Sequence, residues 1–352
     1  MNKTTKIIVG VVVIIIILLL VLPKSKAGTI VNVGAVLPLT GPGAGVGEIL
    51  KQGYEFAVSD FNDKGIKVGL YSEDSASDPK QAVSAFNNLV DNKEVKVIFN
   101  AISSDGMVLK PIVEQRKDVI LWADATHPAL TASTSYVLRH SSTAEDGAKV
   151  ISESILKNKS KKIGIVYQQD DWGVVFNQFL TDILVKNGIT VVSEQINNKS
   201  TDFRAQLSKI KSQNPDGIVF GVYGSAVGVA IKQTRELGYT GQLYSGVGFG
   251  LTPDAQKIAG DYAKGLLYQE YPMNKQFAED YKKKFGKDGT MLGYVAYTDL
   301  EILVYAVQQT KSTDATTLIN FIKNLKTFKG KYETVSIQSN GDIVIPTTMK
   351  VW

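Results

Sequence analysis

Short apolar runs alternate with amphipathic segments along most of the chain. The apolar runs have the length and the residue types of buried strands. They are Val31–Leu37, Val68–Ser72, Val97–Asn100, Val119–Ala123, Lys162–Tyr167, Thr190–Gln195, Gly217–Gly221 and Gln242–Ser245. Strands that alternate with helical segments are typical of βαβ units, so the pattern predicts parallel sheets covered by helices.

The segments between the runs carry helix signals. Asp78 is a capping residue followed by a proline at the first helical position, which predicts a helix over Pro79–Asp91. The other predicted helices are Glu48–Asn62, Ala144–Asn158, Phe203–Gln213, Lys275–Phe285, Gly293–Gln309 and Asp314–Leu325. The tail then carries three short predicted strands, which are Thr334–Ile337, Ile343–Ile345 and Met349–Val351.

Two strand–helix runs, Gly28–Ser141 and Ser142–Glu270, follow each other along the chain. They predict an α/β protein with two similar doubly wound parallel-sheet lobes. We assign residues 28–141 plus 271–326 to the first lobe, and residues 142–270 plus 327–352 to the second. In open α/β sheets, ligands bind beyond the carboxyl ends of the strands, so candidate site residues directly follow each strand.

The first 27 residues have the pattern of an export leader. Two lysines within Met1–Lys6 precede the apolar run Ile7–Leu22, and Ser25-Lys26-Ala27 offers small residues at a cleavage position. This order is typical of a secretory signal peptide. The run is slightly shorter than the roughly 20 residues that span a bilayer, and an uncleaved membrane anchor remains the alternative. We expect a periplasmic or extracellular body, either free or anchored to the cytoplasmic membrane.

The charge of the body excludes one class of partner. The chain has 39 basic and 34 acidic residues, but four lysines lie in the leader, which leaves 35 basic residues. A nucleic-acid binder needs a concentrated basic face, so we expect no nucleic-acid partner. The chain has no cysteine and only two histidines, so we expect no metal site, no other cofactor and no lipid-modified cysteine.

The first predicted strand leads through a glycine-rich loop, Pro38–Gly47, into a helix. Free backbone N–H groups at a helix start can hold a small anion such as a carboxylate. Glycines occupy every second position from Gly41 to Gly47, which does not match the G-x-G-x-x-G spacing of dinucleotide-binding proteins. Glu73 or Asp74 could imitate the acid that binds a ribose, but an exported chain favours a carboxylate site.

Several longer stretches of the chain resemble one known family. They are VGAVLPLTGPGAGVGE, DSASDPKQAVSAFNNLV, VIFNAISSDGMVLKPI, DATHPALT, KKIGIVYQQDDWG, FRAQLSKIKSQNPDGIVFGVYG and GYTGQLYSGVG. In order and spacing they resemble the type I periplasmic binding proteins of the leucine/isoleucine/valine-binding family. The resemblance covers the body from about residue 29 to the end. It implies two lobes that close by a hinge on a small ligand, which is delivered to an ABC permease.

The resemblance also implies which residues bind the ligand. Ser103 and Thr126 stand where the family binds the ligand's carboxylate, and Ser104 adjoins Ser103 at the same predicted helix start. Tyr223 stands where a second-lobe tyrosine closes over the ligand, and Trp172 stands where an aromatic residue often covers it. Taken alone, these residues also fit a helix cap, a turn hydroxyl and core aromatics, so both interpretations stay open.

Two departures from the family pattern concern the identity of the ligand. Val46 replaces the tryptophan of the family's first loop, and no acid follows the strand that ends at Ser245, where the family usually binds an ammonium group. A desolvated ammonium needs an acceptor. The candidates are Asp124, Glu145 and Asp146, which could instead cap a turn or a helix start. The ligand is then an amino acid held differently, or a carboxylate without an amine.

These observations predict an extracytoplasmic solute-binding receptor rather than an enzyme. A serine nucleophile would need His127 or His140 as its base, and neither lies in a recognisable nucleophile context. The alternative function is a membrane-anchored ligand-sensing ectodomain that signals through a partner protein. The expected partners are a small-molecule ligand, an ABC permease and, if the leader is retained, the membrane.

Overall fold

The protein contains two six-stranded sheets covered by helices, as the computed structural model shows for residues 30–197 and 200–352. The predicted leader, residues 1–27, lies outside these described residues. Within the described ranges, none of the helices combines the length and the apolar character that a membrane crossing requires. The predicted α/β class with two parallel-sheet lobes is confirmed.

The elements of the first run are β1 (Val31–Leu37), α1 (Ala44–Asp63), β2 (Val68–Asp74), α2 (Pro79–Asn87), β3 (Val97–Asn100), α3 (Ser103–Arg116), β4 (Ile120–Ala123) and β5 (Val137–His140). Those of the second run are α4 (Ala144–Lys157), β6 (Lys162–Gln168), α5 (Asp171–Lys186), β7 (Thr190–Ile196), α6 (Arg204–Ser212), β8 (Gly217–Gly221), α7 (Ser225–Glu236), β9 (Gln242–Ser245), α8 (Val247–Leu251), α9 (Pro253–Ala259) and β10 (Leu267–Glu270). The last part contains α10 (Lys275–Phe285), α11 (Met291–Thr310), α12 (Ala315–Asn324), β11 (Thr327–Lys329), β12 (Thr334–Ser336), β13 (Asp342–Ile343) and β14 (Thr348–Val351).

The two sheets repeat one topology. The first has the order β13–β5–β4–β3–β1–β2, and its strands are all parallel. The second has the order β14–β10–β9–β8–β6–β7, in which only β14 runs antiparallel to its neighbour. In each sheet the first strand of the run lies between the second and the third. The order therefore reverses beside β1 and beside β6, where α/β folds form a ligand-binding crevice.

The sequence pattern missed three strands, β5, β10 and the short β11. β5 has the sequence VLRH and contains Arg139 and His140, so it does not form an apolar run. Both residues are nevertheless buried, because Arg139 pairs with Asp342 (Nη2 to Oδ2, 2.7 Å) and His140 contacts Asp299 (Nδ1 to Oδ1, 2.6 Å). Partners from distant parts of the chain thus allow a polar sequence to occupy a central strand.

The tail differs from the predicted division, which gave all of 327–352 to the second lobe. β13 pairs in parallel with Arg139–His140 of the first sheet. Phe328, Tyr332 and Val335 are buried in the core of the first lobe, beside helices α10 to α12. Only β14, at the end of the tail, joins the second sheet. Strands of two or three residues carry no pattern that identifies the sheet they join.

The chain passes between the lobes in three places, the last of which lies between β13 and β14. Hydrogen bonds join the other two crossings. The first crossing lies between β5 and α4, and the second follows β10 at Tyr271. The Tyr271 hydroxyl lies 2.7 Å from Ser142 Oγ and 3.4 Å from Ser141 Oγ. Tyr271 is buried, which raises the pKa of its hydroxyl. These contacts form the hinge side of the space between the lobes.

Candidate ligand-binding cleft

The carboxyl ends of the two sheets face one cleft of about 770 Å³, part of which is open to solvent. Its walls are mostly apolar and include Val46, Ile102, Val247, Leu251, Met291, Leu292, Val295 and Ile345. Its polar groups come from the segments that directly follow β3, β4 and β5 in the first lobe, and β6, β8 and β10 in the second. Among these lining residues there is no lysine or arginine, so a bound anion would depend on neutral donors.

The structure brings most of the predicted site residues together. Those that line the cleft are Val46, Ser103, Ser104, Asp124, Thr126, Trp172 and Tyr223. Glu145 and Asp146 do not line it. Glu145 pairs with Lys149 at 2.9 Å on the surface of α4, and Asp146 closes a capping box with Thr143. Both acids lie in the first turn of α4, which agrees with their interpretation as helix-start residues.

The start of α3 places a group of hydrogen-bond donors at the cleft. Its N-cap residue is Ile102, which has no side-chain acceptor, and the first hydrogen bond of the helix runs from Gly106 N to Ile102 O at 3.0 Å. The N–H groups of the first turn precede that bond and have no partner within the helix. Ser103 and Ser104 lie in this turn, and Ser103 Oγ accepts a hydrogen bond from His127 N at 3.2 Å. The Ser103 hydroxyl hydrogen is left to donate to a ligand.

The glycine-rich first loop does not supply the expected anion cradle. Helix α1 begins at Ala44, earlier than predicted, and several amides of the loop bond to other groups of the protein. Leu39 N and Thr40 N donate to Asp74 Oδ1, at 2.8 and 3.1 Å, and Gly43 N donates to Ser77 Oγ at 2.9 Å. These bonds tie the loop to the end of β2. The loop therefore acts as a wall that carries Val46, and the amides of Leu39, Thr40 and Gly43 are not free for a ligand.

The second lobe presents an aromatic wall that is fixed by an acid. Trp172 lies against Tyr223 with ring centroids 5.6 Å apart, edge to face. Asp170 Oδ2 accepts hydrogen bonds from the Tyr223 hydroxyl and from Gln168 Nε2, both at 2.8 Å. Asp170 Oδ1 accepts one from Gly173 N at 2.8 Å and caps α5. Because Tyr223 donates its proton to Asp170, its hydroxyl can offer a ligand only an acceptor.

Sequence reasoning missed Asp170, although it lies in the segment after β6 and borders the cleft. The available signal was its position three residues before Gly173, which is typical of a helix cap. Burial raises the pKa of the Asp170 carboxyl, and the hydrogen bonds that it accepts offset part of this increase. Burial also raises the pKa of Tyr223, and the neighbouring Asp170 raises it further.

Beneath the first-lobe wall lies a row of four buried polar side chains. The Tyr54 hydroxyl donates to Asp124 Oδ2 at 2.6 Å, and His140 Nδ1 lies 2.6 Å from Asp299 Oδ1. Burial raises the pKa of both carboxyls, and the Coulombic effect of Asp299 raises that of Asp124 further. Burial lowers the pKa of His140. Asp124 and His140 border the cleft. No local sequence pattern indicates that α1, β5 and α11 contribute side chains to one row.

The two lobes touch across the mouth of the cleft. An added Cβ at Gly224, which follows β8, would lie 2.6 Å from the carbonyl oxygen of Pro42 in the first loop. Gly224 has a φ of +65° and a ψ of −164°, a backbone conformation available essentially to glycine alone. The described arrangement is therefore a closed one, in which the lobes enclose the space between them.

Comparisons with known proteins show which family has a similar sequence and the same fold. A sequence profile of the family described as "Periplasmic binding protein" matches residues 30–347. The Leu/Ile/Val-binding protein homolog 3 of Brucella melitensis is 26% identical over 331 residues, which are 90% of this chain and 89% of the relative. Two solved structures have the same fold over 92% of this chain.

The first of these structures is the leucine-binding protein LivK of Thermotoga maritima, with a TM-score of 0.84, 25% identity and 95% of its own chain covered. The second is the branched-chain amino acid transporter substrate-binding protein LivJ of Streptococcus pneumoniae in complex with isoleucine. Its TM-score is 0.82, its identity is 20%, and 96% of its chain is covered. Because the family profile matches nearly all of the described residues, this chain belongs to the periplasmic binding protein family.

Proposed function

We propose that this protein is an extracytoplasmic solute-binding receptor. It captures a small carboxylate, either an amino acid or a related compound, between its two lobes and delivers it to an ABC permease. The observation that carries the proposal is the uncapped start of α3, which opens onto an otherwise apolar cleft beside Ser103, Ser104 and Thr126. A helix start without a capping side chain is suited to an anion that arrives from outside.

Each wall of the cleft has a separate task in this proposal. The first-turn amides of α3 and the hydroxyls of Ser103 and Thr126 hold the carboxylate, while the apolar residues enclose the remainder of the ligand. Trp172 and Tyr223 cover it from the second lobe. Closure is a hinge motion at the crossings near Tyr271. None of these steps changes a covalent bond, so the receptor needs no catalytic group.

The comparisons support transport as the purpose of binding. The relatives are named as leucine-, isoleucine- and valine-binding proteins, and one structural neighbour is named as part of a branched-chain amino acid transporter. The leader pattern at 1–27 supports an exported location, periplasmic or attached to the outer face of the cytoplasmic membrane. No feature of the described residues favours the sensor alternative.

A thermal-shift screen tests the proposal directly. Purified protein is melted with each member of a panel of amino acids and small carboxylates, because a ligand that binds the folded state raises its melting temperature. At least one compound should stabilise the wild type. A panel that is broad in size and polarity and yields no shift would refute the receptor function.

Two variants test the assigned carboxylate site with the compound that the screen identifies. Ser103→Ala and Thr126→Ala should each weaken binding by about 1–3 kcal/mol, the value of a hydrogen bond to a charged group. Ser84→Ala is a matched control, since its exposed hydroxyl donates within α2 to Lys80 O at 3.2 Å. Titration calorimetry gives the affinities. Unchanged affinity in both variants would show that the carboxylate binds elsewhere.

A further inference from the structure

Beside the cleft, at the crossing near Tyr271, lies a second cavity of about 1210 Å³, part of which is open to solvent. We refer to it as the hinge-side groove. It is formed by the segment from α8 to α9, the end of β10, the loop before α11 and the strand β14. Lining residues that it does not share with the cleft include Pro253, Gln269, Glu270, Met273, Asp288 and Lys350.

Three side chains border both the cleft and the hinge-side groove, and they therefore lie between the two cavities. They are Leu251, Tyr271 and Met291. The Tyr271 hydroxyl is held by Ser142 Oγ at 2.7 Å. Leu251 and Met291 carry no group that forms a strong hydrogen bond, so only packing holds them in place. We refer to Leu251, at the end of α8, and Met291, at the start of α11, as the partition.

The cleft is apolar on its side of the partition. Val247 lies one helical turn before Leu251 in α8, and Val295 lies one turn after Met291 in α11, so each shares a helix face with a partition residue. Both valines line the cleft, as does Leu292. An aliphatic tail of a ligand therefore finds apolar surface up to the partition.

The groove is charged and open to solvent on the other side of the partition. Glu270 forms an ion pair with Lys350, and Asp288 pairs with Lys282 at 2.8 Å. An apolar group that crossed the partition would lie beside these charges with access to solvent. It would gain less free energy from burial there than in the cleft.

We propose that the partition sets the maximum length of the ligand, so that the receptor selects carboxylates whose tail ends at Leu251 and Met291. This inference rests on the proposed receptor function, in which the start of α3 holds the carboxylate. With the carboxylate held there, the distance to the partition fixes the length of tail that the closed cleft encloses. Each methylene group up to that length adds about fourfold to the affinity. The next one has to displace a packed side chain, and overpacking lowers the affinity.

Two series of straight-chain probes test this limit on the wild type. One runs from propanoate to decanoate, and the other from alanine to 2-aminodecanoate, so the test covers ligands with and without an amine. In a series that binds, titration calorimetry should show an affinity that rises with chain length and then falls by at least about tenfold within two further carbons. An affinity that rises through the whole series would overturn the inference and leave the receptor function intact.

Variants of the partition should move this limit. Met291→Ala should bind the first probe beyond the wild-type limit at least about tenfold more tightly than the wild type does, because the tail then enters the groove. Met291→Phe enlarges the side chain and should shorten the limit by at least one carbon. The double variant Leu251→Ala with Met291→Ala should show no limit within either series. Circular dichroism confirms that each variant is folded.

Two controls separate the choice of length from a general change of the cavity. Leu292→Ala removes a side chain of the same size as Leu251→Ala does, but Leu292 borders only the cleft, so this variant should still show a limit within the series. Met273→Ala removes an exposed side chain that borders only the groove, and its limit should equal that of the wild type.

A folded Met291→Ala variant with the wild-type limit would overturn the inference, whether or not the double variant folds. A Leu292→Ala variant that loses the limit as fully as the double variant does would also overturn it. If neither series binds the wild type or any variant, the inference fails, while the wider screen still decides on the receptor function.

Discussion

Replacing Asp105 by asparagine should make the folded protein more stable near neutral pH. Asp105 lies in the first turn of α3, and its side chain is fully buried. Burial raises the pKa of this carboxyl from 3.8 to about 6, and the nearby charge of Asp78 contributes to the increase. The Ser75 hydroxyl beside it is too poorly placed for a full hydrogen bond and offsets burial only in part.

The raised pKa determines the sign and the size of the effect. Between about pH 4 and pH 6 the folded state holds this proton more tightly than the unfolded state does, so the stability contributed by the group falls as the pH rises. A difference of about two between the folded and unfolded pKa corresponds to about 3 kcal/mol above pH 6. This figure is an upper bound, because the partial positive charge at the start of α3 stabilises the carboxylate.

Urea unfolding followed by circular dichroism measures this effect at pH 4.5 and pH 7.5. Asp105→Asn should be more stable than the wild type by up to about 3 kcal/mol at pH 7.5, and the gain should shrink at pH 4.5. Asp254→Asn is the matched control, since Asp254 is an exposed aspartate in the first turn of α9. A gain that is equal at both pH values, or a loss of stability at pH 7.5, would refute the reasoning.

Three further outcomes are expected. Gly224→Ala should hinder closure, because its Cβ would lie 2.6 Å from Pro42 O, and small-angle scattering with a bound ligand should show a more open particle than the wild type. Arg139→Ala should cost about 3–5 kcal/mol of unfolding free energy in urea because it leaves the charge of Asp342 buried and unpaired, and Asp342→Asn in the same chain should recover part of this loss. Trp172→Phe should remove most of the ligand-induced change in tryptophan emission, since this indole lines the cleft. An equally compact particle, additive losses at the ion pair, or an unchanged fluorescence response would contradict the respective prediction.

Local pattern was enough to predict the frame of the protein. A run such as Val97–Asn100 is apolar because both faces of a parallel sheet are covered, and Asp78 before Pro79 is a helix start in any fold. The ends of the predicted strands then indicated which segments line the space between the lobes. The segments after the strands include Ser103 and Trp172, which the family resemblance then singled out, and both residues line the cleft.

Contacts between distant segments could not be predicted in this way. Asp299 lies in the middle of α11, where nothing in its neighbourhood indicates that it meets His140 and Asp124. The glycine-rich loop has the composition of an anion cradle, yet Asp74 and Ser77 accept hydrogen bonds from three of its amides. Such outcomes depend on which side chains the fold brings within about 3 Å of each other, and hydrogen bonds act only over that distance.

The sequence by itself determined the repeated α/β topology and the edge of each sheet that faces the cleft, because the hydrophobic pattern and the helix caps depend on residues close together in the chain. Only the tertiary structure decided which polar groups bond to each other and which stay free to face the cleft. It left the start of α3 open to the cleft, while side-chain caps close the starts of α4 and α5. It also buried four polar side chains beside one another, those of Tyr54, Asp124, His140 and Asp299. The physical reason is that a buried donor or charge needs a hydrogen-bond partner, and only the folded chain determines which groups are buried together.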